Sequence, residues 1–166
     1  MKSLTEQLSQ YAAYHRDRRN IATHFVGIPL IVLAIATLLA GPHVVVGGLP
    51  LSPATGVTLA VVAYYLRLDL VLGVLMGGLF GLVLTLAMAL VSMGGDLWWQ
   101  VGVTCFTVGW VFQLVGHIFE GRKPAFVDDL MGLIIGPLFV VVEAGFALGC
   151  WPALRGRIEA AVGGCR

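Results

Sequence analysis

Long stretches without a charged side chain constrain this chain more than any other feature. No Asp, Glu, Lys or Arg occurs from Ile21 to Leu66, from Leu70 to Gly95 or from Leu97 to Phe119, and from Leu130 to Leu154 there is only Glu143. A helix needs about 20 apolar residues to cross a hydrocarbon core about 30 Å thick. The first run is long enough for two crossings and each of the others for one. Backbone N–H and C=O groups cannot be left unsatisfied against lipid, so these runs are predicted to be helices. Only 11% of the 166 residues are charged and 58% are hydrophobic, whereas a soluble domain carries about 25% charged residues. The same apolar content excludes disorder. Ten Lys and Arg against nine Asp and Glu give a net charge of +1, which provides no field for gathering nucleic acid.

The predicted fold class is therefore all-α: a multi-pass transmembrane helix bundle of four to five membrane segments with an N-terminal amphipathic helix, forming a single integral membrane domain over 1–166. The first 19 residues are polar and amphipathic and lack the short apolar core and cleavage site of a signal peptide, so they are expected to lie at the interface. Membrane segments are expected at about 21–40, 54–66, 70–92, 97–118 and 130–150. Asn20 is placed to cap the first of them, and Gly41-Pro42 ends it. Residues 43–53, with two glycines and two prolines, read as a loop or a broken half-helix. The 54–66 segment is only about 20 Å long at 1.5 Å per residue, and it spans only if residues near Val44 to Leu49 extend it.

In the 70–92 segment, Gly73, Gly77 and Gly81 recur every fourth residue. Such stripes let helices approach closely in lipid and offer a surface for oligomerisation. The last run is interrupted by Gly136-Pro137 and either crosses or dips in and returns. Re-entry is the favoured reading, and it puts Arg155, Arg157 and Arg166 on the inner side. Cys105 and Cys150 read as small packing residues and Cys165 as a tail residue, with no metal-binding spacing.

Lys2, Arg16, Arg18, Arg19, Arg67, Arg122 and Lys123 fall on one side of this topology, and the opposite loops at 41–53 and 93–96 carry no Lys or Arg. That asymmetry predicts a cytoplasmic N-terminus, at the inner membrane if the source is bacterial. His15, His24 and His117 lie at the cytoplasmic helix ends. His43 lies on the opposite side and reads as structural.

Gln113, His117 and Glu120 are spaced i, i+4, i+7 and form one polar stripe, which Trp110 continues into the apolar layer. Polar groups embedded at such a helix end face the bundle interior and have a partner or a function. His15 and His24 are nine residues apart. On one straight helix they would point about 180° apart and lie about 13.5 Å apart along the axis, so sharing a site requires a break in the chain between them. Neutral imidazole suits iron, zinc or copper, and each ligating ring needs an acceptor on its other nitrogen. Asn20, Gln113 and Glu120 are candidates for that service. Asp17 and Asp128 reach it only if their loops fold over the site.

The motifs YxxYHRDRRNIATHFVGIP and WVFQLVGHIFEGRKPAF, followed by GPLFVVVE, resemble those of the 2-hydroxy fatty acid dioxygenase family of small multi-pass membrane proteins, over nearly the whole chain. The resemblance implies an iron(II)-dependent α-oxidation that uses dioxygen as co-substrate and shortens a 2-hydroxy fatty acid by one carbon. His15, His24 and His117 are the matching histidines and the implied iron ligands. Asn20, Pro29, Gln113, Gly116, Glu120, Pro124 and Glu143 match other motif positions. Among them Glu120, Asn20 and Gln113 are the implied catalytic group. A fourth histidine ligand has no place here, because position 16 is Arg. Arg122 or Lys123 is expected to pair the substrate carboxylate, with the acyl tail among the helices and the lipid bilayer as the working environment. Two other readings use the same residues: a haem-binding electron carrier with two axial histidines, and a non-enzymatic membrane scaffold in which the histidines only hold structure.

Overall fold

A computed structural model describes residues 2–47 and 49–164. Cys165 and Arg166, assigned above to the tail and to the inner side, lie outside the described residues. The described residues are all-α apart from one small hairpin. Helix α1 covers Leu4–Ala12, α2 Arg18–Ala40, α3 Pro53–Leu68, α4 Leu70–Ser92 and α5 Leu97–Glu120. A 3₁₀ turn at Ala125–Val127 leads to α6, Met131–Ala147, and α7, Pro152–Val162. Among the described residues three helices, α2, α4 and α5, are long and apolar enough to cross a membrane. The pair α6 and α7, bent by 115°, supplies a fourth if it counts as one broken span. The architecture is that of a membrane helix bundle. Helix α3 has 16 residues and so reaches about 24 Å, short of the hydrocarbon core.

The stretch expected as a loop or half-helix is instead a two-stranded antiparallel hairpin. Strands β1, Val44–Val46, and β2, Leu49–Leu51, pair Val44 with Leu51, Val45 with Pro50 and Val46 with Leu49. Three consecutive β-branched residues lose little side-chain freedom in a strand, and so short a ribbon tolerates Pro50, which has no N–H to donate. The Val44 to Leu49 extension of α3 is thereby ruled out. Helix α3 starts instead at Pro53, behind Ser52, whose hydroxyl accepts from Thr55 N at 3.4 Å.

The helices fall into two compact units, Pro29–Gly109 and the remainder, so α2 and α5 each contribute to both. In the Pro29–Gly109 unit, Asp69 ends α3 and begins α4, accepting from Leu72 N at 2.9 Å. The two helices close up at Gly73, where an added Cβ would lie 2.6 Å from the Leu66 backbone. The glycine stripe thus serves an intrachain contact at Gly73, and at Gly77 a Cβ would meet Val62 at 3.3 Å. A Cβ at Gly81 would meet nothing. The small buried residues Ala36, Ala40, Ala54 and Ala87 form the centre of this unit.

In the other unit, Ser3 and Glu6 cap α1 reciprocally. The apolar face of α1 is buried on protein: Leu8, Tyr11 and Ala12 pack where α1 meets α6 and α7. Leu8 is wholly buried, a side chain whose removal from water contributes about 1.5–3 kcal/mol. Ile135, Leu138, Phe139 and Val142 of α6, with Leu154 and Ile158 of α7, complete this core. Cys105 is half-buried, whereas Cys150, expected to pack, is exposed in the short link between α6 and α7.

Candidate metal centre

The break that lets His15 and His24 meet lies earlier than Asn20. Helix α1 ends in two tight turns, Tyr14 N to Tyr11 O at 3.1 Å and His15 N to Ala12 O at 3.0 Å. Helix α2 then starts at Arg18, capped by the Asp17 carboxylate, which accepts from Arg19 N at 2.8 Å. Asp17 competes better than Asn20 for the capping position because its anion also complements the positive end of the helix. Asn20 sits inside the first turn of α2, wholly buried.

This turn folds His15 back onto α2, and its Nε2 lies 3.0 Å from His24 Nε2. His117, in the last turn of α5, closes the group, its ring centroid 5.0 Å from that of His15 and 5.1 Å from that of His24. One ligating atom from each of the three lies within 4.8 Å of the other two. The side chains are nearly inaccessible, with relative exposures of 1% for His15, 1% for His24 and 7% for His117. Gly116 permits the approach of α5. A Cβ there would collide with Thr23 Oγ1 and Asn20 Oδ1 and come within 3.3 Å of His24 Nδ1.

Hydrogen bonding makes this arrangement chemically specific. His15 Nδ1 lies 2.8 Å from the Tyr11 carbonyl oxygen, and His24 Nδ1 lies 2.8 Å from that of Asn20. A carbonyl only accepts, so both rings carry their proton on Nδ1 and turn an Nε2 lone pair toward each other. Two lone pairs at 3.0 Å repel, and an added proton would place an imidazolium in a buried site. Burial, the dominant cause, together with the His117 ring pushes His15 down to about 3 against the opposing Tyr11 carbonyl, so that proton is disfavoured. A divalent cation between the rings would satisfy both lone pairs, with the carbonyls as its outer-sphere acceptors. The three histidines fit a metal that takes neutral imidazole. With Nε2 atoms so close, the His15–His24 pair leaves no slot for a porphyrin plane, so these two cannot serve as opposed axial haem ligands.

Glu120 Oε2 accepts from Arg16 N at 2.9 Å, Asp17 N at 2.8 Å and Asn20 Nδ2 at 3.0 Å. It does not join the group of ligating atoms, which consists of the three histidines. Gln113 is buried one helical turn before His117, and its Nε2 has no partner among the described residues. Arg122 donates to the Ala13 carbonyl at 3.0 Å. Lys123 pairs with Asp128, which also accepts from Tyr14 Oη at 2.8 Å. The Lys123 ammonium and the Tyr14 hydroxyl together hold the Asp128 carboxyl below the usual range. His43 is exposed just before β1, its Nδ1 3.0 Å from the Gly41 carbonyl oxygen, and it belongs to the other unit.

Two residues of this site, Tyr11 and Phe139, lie inside the family-like motifs, but their spacing does not assign them to it. Tyr11 stacks on His15 with centroids 4.2 Å apart and planes 7° from parallel, and Phe139 packs at 4.9 Å from Tyr11 and 5.6 Å from His15. Tyr11 stands four residues before His15, but the helix that would make that spacing meaningful ends at Ala12.

These features define a class: a helical protein of multi-pass membrane architecture with three histidines from separate segments buried in one helix-end cluster. Comparison with known proteins narrows it. The family model described as 2-hydroxy-palmitic acid dioxygenase Mpo1-like matches residues 1–148, and the chain belongs to that family. It is 34% identical over 158 residues to the 2-hydroxy-palmitic acid dioxygenase MPO1 of Saccharomyces cerevisiae, covering 94% of this chain and 87% of the yeast protein. No solved structure gives a significant match.

Proposed function

We propose that this protein is an iron(II)-dependent dioxygenase that shortens 2-hydroxy fatty acids by one carbon at the membrane interface. The observation that carries the reading is the 3.0 Å approach of two Nε2 lone pairs whose rings are both fixed through Nδ1. A buried pair of that kind has no comfortable metal-free state. Family membership supplies the reaction class, since the yeast relative is named for a 2-hydroxy acid substrate and for dioxygenase activity.

His15, His24 and His117 would hold the ion and leave its remaining positions to substrate and dioxygen. Ferrous iron held there would supply the redox centre at which a chelating 2-hydroxy acid and dioxygen meet. The protein's own contribution is to keep the three imidazoles neutral and oriented and to exclude water. Gln113, buried with an unsatisfied amide, would donate to an oxygen of a bound ligand. Arg122, on the exposed segment after α5, would pair a carboxylate arriving from the interface, and Lys123 would do so only by giving up Asp128. The acyl chain would stay among the apolar helices, which accounts for building this chemistry into a membrane protein.

The test is a product assay on protein purified in detergent without oxygen. Added 2-hydroxypalmitic acid and air should yield the fatty acid one carbon shorter, and an iron chelator should abolish it. Turnover that persists in the chelator, or an oxidised product of unchanged chain length, would contradict the proposal.

A further inference from the structure

We infer that Glu120 is a positioning residue of the metal centre, using one carboxylate oxygen to lock the His15 turn and the His24 helix onto the His117 helix. This inference rests on the three-histidine metal reading above. Glu120 is the last residue of α5, three positions after His117. The three donors to its Oε2 are the N–H groups of Arg16 and Asp17 and the side-chain amide of Asn20. Arg16 directly follows His15. Asn20 also provides the carbonyl that holds His24 Nδ1 at 2.8 Å. All three ligand-bearing segments are therefore tied within one residue or one helical turn of a single oxygen.

Three donors within 3.0 Å leave that oxygen no capacity for a metal ion or for a proton in transit. Among the described residues, no Lys or Arg forms an ion pair with Glu120. Its charge is met instead by N–H dipoles at the start of α2, where an anion is favoured. An oxygen acceptor of the right reach is what the geometry demands. Glutamine keeps that acceptor, aspartate withdraws it by one methylene, and alanine deletes it.

The experiment is Co(II) titration of the full-length, detergent-purified protein under nitrogen, read by visible absorption, with thermal unfolding of the same samples. Co(II) replaces iron because its spectrum reports the ligand set. In Glu120→Gln we expect the wild-type band shape and an affinity within about threefold of wild type. Glu120→Asp and Glu120→Ala should bind about 10–100-fold more weakly, the range seen when outer-sphere partners are removed. Weakening in Glu120→Gln equal to that in Glu120→Ala would overturn the inference, because the charge or a direct bond would then be required. Altered bands in Glu120→Gln would overturn it by making Glu120 a ligand, and wild-type affinity in Glu120→Ala would overturn it by removing any role. If the alanine and aspartate variants do not fold, Asn20→Ala, which removes one of the three donors, takes their place, and wild-type affinity there would overturn the inference.

Failure of the underlying reading looks different. Wild type would then take up no Co(II), or His117→Ala would take up as much as wild type. Uptake that His117→Ala abolishes and that is indifferent to every change at Glu120 defeats the positioning role alone.

Discussion

The two compact units use burial in opposite ways. In Pro29–Gly109 the buried residues are mostly small, such as Ala36, Ala40, Ala54 and Ala87. Many large apolar side chains of α4 are exposed, Val71 by 66% and Leu82 by 57%, while Leu72 and Met76 are its large buried ones. Such a surface suits lipid and carries no chemistry. In the other unit His15, Asn20, His24, Gln113 and His117 are all buried, each at a desolvation cost unless it finds a partner. The contrast teaches where to look for function: a membrane bundle that buries alanines and exposes valines has no structural need for three inaccessible imidazoles.

Substitutions that crowd each unit's closest helix approach should separate the two. The largest effect is expected from Gly116→Val. Its side chain would collide with Thr23 and Asn20 and press on His24. Overpacking of that kind costs about 1–3 kcal/mol or more, and the ligand set would be displaced with it. Thermal unfolding in detergent and metal content should both fall, and unchanged metal content would show that α5 does not need to sit this close.

Acid should act next, and on the histidine unit. His15 has its folded-state value pushed down to about 3 from an ordinary value of about 6.5. The folded state then binds fewer protons than the unfolded state, so stability rises with pH across that window. The contribution is whole above about 6.5 and is lost as pH falls toward the folded value. Melting temperatures of metal-free protein should drop between about pH 7 and pH 4, and His15→Gln should flatten part of the slope. An identical slope in that variant would mean that His15 does not titrate with unfolding.

The smallest effect on the centre is expected from Gly73→Val in the other unit, where the added atoms meet the Leu66 backbone. It should lower the melting temperature by loosening α3 from α4 while leaving metal content per folded chain unchanged. Loss of metal in this variant would blur the division between the units.

Much of this was legible in the chain itself, for stated reasons. Uncharged runs predict helices because lipid leaves backbone no other option, and α2, α4 and α5 follow them. The nine-residue spacing of His15 and His24 requires a break, and one is present. Its position is ambiguous in the sequence because two capping candidates stand three residues apart, and Asp17 rather than Asn20 ends the turn. The hairpin is not legible because Val44–Val46 is too short for a periodicity to distinguish strand from loop. Glu120 was visible as a member of a polar stripe. Its donors, however, are 100 to 104 residues away, and two of them are backbone N–H groups that leave no mark on the sequence. The stacking of Tyr11 on His15 likewise depends on how the turn folds.

The central claim is that the three histidines hold a metal, and metal analysis of protein purified in detergent without oxygen tests it most directly. Wild type should carry about one iron per chain, and His117→Ala, still folded, should carry close to none. Two folded proteins equally devoid of metal, or equally loaded, would contradict the account.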